Sequence, residues 1–136
     1  MLARVELDQA GIERLLNSPD GPLVRELASI CIEVESQAKL NATGRPGPNV
    51  QTGRLRSSIT WHIVIGPQGP YGEVGSAVEY AGDVEDGTAP HVIYPKNKKA
   101  LYWKGARHPV AYVNHPGNRA YPYLRPALIA VSERRR

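Results

Sequence analysis

Four imidazoles, His62, His91, His108 and His115, are the side chains of this 136-residue sequence best suited to ligate a metal or relay a proton. No two stand three to five residues apart, the spacing that aims a pair at one ion from a helix or finger. The densest acidic group is Glu79, Asp83, Glu85 and Asp86. Two such carboxylates beside a lysine would suit a metal-dependent nuclease. No acidic residue has a lysine two positions on, the usual strand arrangement of such enzymes, so a solvated acidic helix-turn or an oligomer interface is the better reading. No GxGxxG, Walker A or GxSxG pattern occurs, so phosphate-loop and nucleophile-elbow chemistries lack their backbone geometry. The sole cysteine, Cys31, excludes an intramolecular disulfide and a cysteine-based zinc knuckle and points to a reducing compartment. No cofactor is implied.

Two further constellations concern surfaces. Lys96, Lys98 and Lys99, with Tyr94, Tyr102 and Trp103 around them, could meet single-stranded nucleic acid through phosphate contacts and base stacking. The aromatic inventory of 7 Tyr, 2 Trp and no Phe suits surfaces that are half wet and become covered by a partner. The net charge of +4 is mild, and its excess lies in the lysine cluster and the Arg134, Arg135, Arg136 tail rather than along a helix. Glu6 and Asp8 stand where a secretory apolar region would lie, and no apolar run approaches a membrane span, so the expectation is a soluble intracellular product. Gly and Pro together make 25 of 136 residues, which predicts a folded body with long, turn-rich loops.

The elements that must position these groups follow from periodicity. Leu2 to Leu7 alternates with period 2 and predicts a short strand. Asp8 caps a short helix carrying Ile12, Leu15 and Leu16, ending at Asn17 or Ser18. After Ser18-Pro19-Asp20-Gly21-Pro22, the residues Val24, Leu27, Cys31, Val34 and Ala38 form one apolar stripe, predicting a long helix packed on a sheet. Thr43 to Thr52 reads as a loop. Leu55 to Ile65 reads as a strand with Ile59, Trp61, Ile63 and Ile65 on one face, and Gly66 to Tyr71 as a hairpin connection to a partner strand from Gly72 to Val78. The Gly66, Gly69, Gly72, Gly75 period is too short for a collagen triple helix and fits a twisted hairpin. Strands are predicted at His91 to Pro95 and Ala100 to Lys104, joined by a Lys96-Asn97-Lys98-Lys99 turn. A Gly/Pro-rich stretch, Arg107 to Pro122, precedes a C-terminal helix from Tyr123 to Glu133 with Pro126 in its first turn. The whole predicts a single α+β domain over 1–136: a mostly antiparallel sheet against one long helix, with a short N-terminal helix and a C-terminal helix. Its parts are a strand and short helix over 1–18, a core over 19–133 and a basic tail over 134–136.

Three segments in order carry a family resemblance: Thr52-Gly53-Arg54-Leu55-Arg56-Ser57-Ser58-Ile59; Val78-Glu79-Tyr80-Ala81-Gly82-Asp83-Val84-Glu85-Asp86-Gly87-Thr88; and His115-Pro116-Gly117 followed by Tyr123-Leu124-Arg125-Pro126-Ala127-Leu128. Their order and spacing resemble the small head-tail joining, or tail-completion, proteins of long-tailed double-stranded-DNA bacteriophages. The likeness covers Gln51 to Ala130. The N-terminal extension and the stretch Ala100 to Val113 depart from it. The resemblance implies a structural virion protein without catalysis, made in the host bacterial cytoplasm. It would form a ring, most often sixfold, between the portal and the tail tube. Its partners would be other copies of itself and connector, stopper and tail-tube proteins, with genomic DNA passing through the lumen without sequence-specific binding and no membrane involved. The alternative is a nucleic-acid-binding or nuclease-like accessory protein.

In the ring reading, Tyr80 and Val84 share one patch, and the acidic face of Glu79, Asp83 and Glu85 meets Arg54 or Arg56 of a neighbouring copy. Lys98, Tyr102 and Trp103 are further candidate contacts. Thr52, Gly53, Leu55, Ser58, Gly87, Thr88, His115, Pro116, Gly117, Leu124, Pro126 and Ala127 are expected to hold structure, with positive φ at Gly53 and Gly87.

Overall fold

The computed structural model describes residues 1–44 and 47–136. Its longest element, α2 (Pro22–Asn41), starts with proline at N1, where the missing N–H costs nothing, and buries the predicted stripe at Val24, Cys31, Val34 and Ala38. Before it, α1 (Gln9–Asn17) is capped as predicted, the Asp8 carboxylate accepting from Gly11 N at 3.0 Å. A one-turn helix α3 (Arg54–Ser58) leads into a hairpin of β1 (Thr60–Gly66) and β2 (Gly69–Gly75), paired in antiparallel register from Thr60↔Gly75 to Gly66↔Gly69 around Pro67-Gln68. Cys31 on α2 lies so close beneath Gly72 that a Cβ there would overlap its Sγ, so the hairpin sits tightly on the long helix. Then follow α4 (Ala81–Asp86), β3 (His91–Ile93), β4 (Val113–His115) and α5 (Leu124–Arg134).

The class is α+β. The strands form two separate two-stranded antiparallel sheets, β1-β2 and β3-β4. One core joins α2, α5 and Ile59: Val34, Ala38, Ala42, Ile59, Tyr123, Ala127 and Val131 are buried together, with Leu55, Val74, Val84 and Leu124 packed at the margin.

Several expectations need correction. Leu2 to Leu7 forms no strand, because a strand needs a ladder partner for its N–H and C=O groups and none among the described residues pairs with it. The segment Leu55 to Ile65 divides at Ile59: its first part is α3, where the Ser57 and Ser58 hydroxyls donate to carbonyls three residues back. Residues four apart share a face in both a strand and a helix, so Leu55 and Ile59 could not discriminate between the two. β2 begins three residues earlier than predicted because the two-residue Pro67-Gln68 turn fixes the register. β3 pairs not with Ala100 to Lys104 but with β4, as His91↔His115, Val92↔Asn114 and Ile93↔Val113. Of the expected strand at Ala100 to Lys104, only Leu101 is paired, bridging to Val110. The Arg107 to Pro122 stretch therefore contains paired backbone as well as turns. The expected loop from Thr43 to Thr52 includes Arg45 and Pro46, which lie outside the described residues.

Candidate functional site

The three segments that carry the family resemblance converge around the start of α5. No side chain within α5 or next to it caps this helix. The cap comes instead from Glu85 on α4, whose carboxylate accepts from the backbone N–H groups of Tyr123 (2.8 Å), Leu124 (2.9 Å) and Arg125 (3.0 Å). These are orphan donors of a helix N-terminus, where the positive end of the helix dipole favours an anion. Glu85 is only 7% exposed. It is therefore turned inward, and of the expected acidic face of Glu79, Asp83 and Glu85 only Glu79 and Asp83 stay exposed; the adjacent Asp86 pairs with Arg125 at 2.8 Å.

Tyr123 completes this junction. Its ring is fully buried, its hydroxyl donates to the Ala81 carbonyl at 3.3 Å, and its own carbonyl accepts from Asn41 Nδ2 at the end of α2 at 3.1 Å. Burial, helped by the nearby Glu85 charge, pushes its phenol up to about 12. At the far end of α5, Arg135 pairs with Glu26 and Glu33 and donates to Ser29 Oγ at 3.0 Å, holding the helix against α2. Glu33 is drawn below the usual carboxylate range by that hydrogen bond, and Arg135 is raised in turn.

The first segment meets the second across a recess of about 190 Å³ lined by Arg54, Leu55, Arg56, Tyr80 and Val84 together with residues 48–53. Tyr80 and Val84 thus share one patch, as their spacing predicts. Arg54 and Arg56 are exposed, and neither has a carboxylate within salt-bridge distance among the described residues. Thr52 Oγ1 accepts from Arg54 N at 3.3 Å, and Gly53 takes φ 76° as the residue before α3. Ser58 reaches Ser76 Oγ at 2.6 Å and so ties α3 to the end of β2.

The second segment meets the third at the base of an arm, Thr88 to Pro122. Thr88 and Asn118 bridge in antiparallel fashion, and Thr88 Oγ1 accepts from Asn118 N at 2.9 Å. Gly87 takes φ 74° and Gly117 φ 85°; a side chain on Gly117 would overlap the Thr88 carbonyl. His115 Nδ1 accepts from Gly117 N at 3.0 Å, shaping the turn through the exposed Pro116. Leu124 packs at the margin of the core, Pro126 fits the first turn of α5, and Ala127 is wholly buried.

Beyond this base the arm has no core of its own: every residue from Thr88 to Pro122 is half-buried or exposed. His91 and His115 stack across β3 and β4 with centroids 4.9 Å apart, a pairing that sequence spacing could not show. Among the described residues no group of three or more His, Cys, Asp or Glu side chains gathers in a metal-binding cluster. Tyr102, Trp103 and Lys98 are exposed on the arm. On the body, a groove of about 760 Å³ runs between α2, β2 and α5 with Cys31 among its lining residues; burial raises that thiol's pKa. No helix among the described residues is long and apolar enough to cross a membrane.

Comparison with protein-family models, with curated proteins and with solved structures finds no match for the chain.

Proposed function

We propose that this chain is a structural subunit of a bacteriophage neck, assembling into a ring, most often of six copies, that joins the portal to the tail tube. The resemblance of the three ordered segments supports the reading, and their convergence on one junction gives those residues a common purpose in holding α3, α4, α5 and the arm together.

The observation that carries the reading is the N-terminal segment. Leu2, Val5 and Leu7 are 99%, 90% and 78% exposed, although they belong to a pattern that alternates as a strand does. Arg4 and Glu6 pair at 2.8 Å, two residues apart, as same-face neighbours do on extended backbone. A strand-like segment with no ladder partner among the described residues is suited to pairing with the sheet edge of another copy. The opposite charges of Arg54 and Arg56 against Glu79 and Asp83 supply a second heterologous contact.

Light scattering coupled to gel filtration tests this. The wild-type chain is expected to form a discrete oligomer whose population rises with concentration. Val5→Asp with Leu7→Asp shifts it toward monomer at unchanged thermal stability, since neither residue touches the core. Glu79→Lys with Asp83→Lys acts in the same direction, and Arg54→Glu with Arg56→Glu added to it restores association. A wild-type chain that is monomeric at every attainable concentration, or variants that leave the mass distribution as it was, overturns the reading.

A further inference from the structure

Charge is divided along this chain far more sharply than its mild total suggests. Up to Asp86 there are seven Lys/Arg against twelve Asp/Glu; from Gly87 onward there are ten against one. No carboxylate side chain occurs between Gly87 and Ser132. Six cations, Lys96, Lys98, Lys99, Lys104, Arg107 and Arg119, lie on the arm, all exposed. Every salt bridge among the described residues, the His62–Glu73 pair included, lies outside the arm. Among the described residues no ion pair offsets the arm's positive charge.

The same arm presents flat ring systems to solvent. Tyr94 and Tyr112 meet across the ends of β3 and β4 with centroids 6.1 Å apart. Tyr102 and Trp103 join Ile93, Leu101 and Val113 around a shallow, open recess of about 320 Å³. Cations without neighbouring carboxylates avoid repelling a polyanion, and exposed aromatics beside them offer stacking faces to unpaired bases. An ordinary protein interface has no need to exclude every acidic side chain over 46 successive residues.

We infer that the Thr88 to Pro122 arm is a binding surface for nucleic acid, with its lysines and arginines on phosphates and the Trp103 recess receiving a base of a single strand. Recognition is independent of sequence, because phosphate contacts and stacking are common to every nucleotide. The inference does not rest on ring formation.

The test is fluorescence anisotropy of a labelled oligothymidylate titrated with the full chain at several salt concentrations. Engagement of about six phosphates gives a slope of log affinity on log salt of about −4, a loss of roughly 10²-fold between about 50 and 200 mM salt. Lys96→Glu with Lys98→Glu and Lys99→Glu removes about three contacts, lowering the steepness by about 2. Trp103→Ala weakens the single strand about tenfold and leaves binding of a duplex as it was, since paired bases cannot enter the recess. All these residues lie outside the core, so circular dichroism and thermal midpoint are expected to stay at wild-type values. Absence of binding at low salt, a slope near zero, or an unaffected triple variant overturns the inference. If the triple variant instead abolishes self-association while the wild type binds no oligonucleotide, the arm contacts another copy, and the inference falls while the ring reading stands.

Discussion

The junction around Glu85 and the arm beyond it are adjacent in the chain and opposite in design. At the junction the buried polar groups are bonded to one another: one carboxylate satisfies three backbone donors, and Tyr123 is buried while bonded through both its hydroxyl and its carbonyl. On the arm, backbone pairing and a few local side-chain bonds, such as those of Thr88 and His115, set the shape, and the large side chains face water. Residues bonded inward hold the fold, whereas residues with large unpartnered side chains are free for contact with something else. Glu85, Tyr123 and Ala127 belong to the first kind; Lys98, Tyr102 and Trp103 belong to the second.

This contrast can be broken at its strongest point first. Glu85→Ala strands three helix N-terminal donors, one of them on the buried Tyr123, and is expected to lower unfolding free energy by about 3–5 kcal/mol in urea denaturation. Glu85→Gln, which keeps an acceptor, costs less. An alanine variant as stable as wild type would mean that the junction is no firmer than the arm.

The next effect is alkaline. The Tyr123 phenol lies near its ordinary value of about 10 in the unfolded chain and is pushed up to about 12 in the fold. Its contribution to stability is complete below the lower value. As pH rises between the two, the unfolded chain releases its proton first, so about 2–3 kcal/mol is lost across that window. Tyr123→Phe is expected to flatten this limb while giving up the hydrogen bond to Ala81. A wild-type stability that stays level through the window would count against a buried, neutral phenol.

The smallest effect belongs to the arm. Tyr94→Ala and Tyr112→Ala are expected to change stability by less than about 1 kcal/mol, because only an exposed ring pair is lost. Hydrogen exchange would sharpen the comparison, with fast exchange along the arm and slow exchange in α2 and α5. A large destabilisation from either substitution would show that the arm supports the body.

The parts visible in the sequence were those whose partners are periodic or adjacent. The α2 stripe, the Asp8 cap and the Gly66-Gly69 hairpin each depend on residues within a turn or two of one another. α3 was hidden because Leu55 and Ile59 satisfy both periodicities. The β3 partner was hidden because it starts twenty residues after β3 ends, past a nearer candidate strand and a turn that together looked sufficient. Glu85 was visible as one acid among four, and nothing local separates it from Glu79 or Asp83. Its role depends on helix donors that occur 38 to 40 residues later.

α5 is fastened at its first turn by a carboxylate 38 residues earlier and at its last by glutamates more than a hundred residues back. On the ribosome, α2 and α4 therefore emerge long before the piece that closes over them. During that interval Val34 and Ala38 lack Tyr123, Ala127 and Val131 as neighbours, and Glu85 has no donors to receive. The nascent chain waits with its interior half assembled, and the arrival of one short helix finishes both its packing and its wiring.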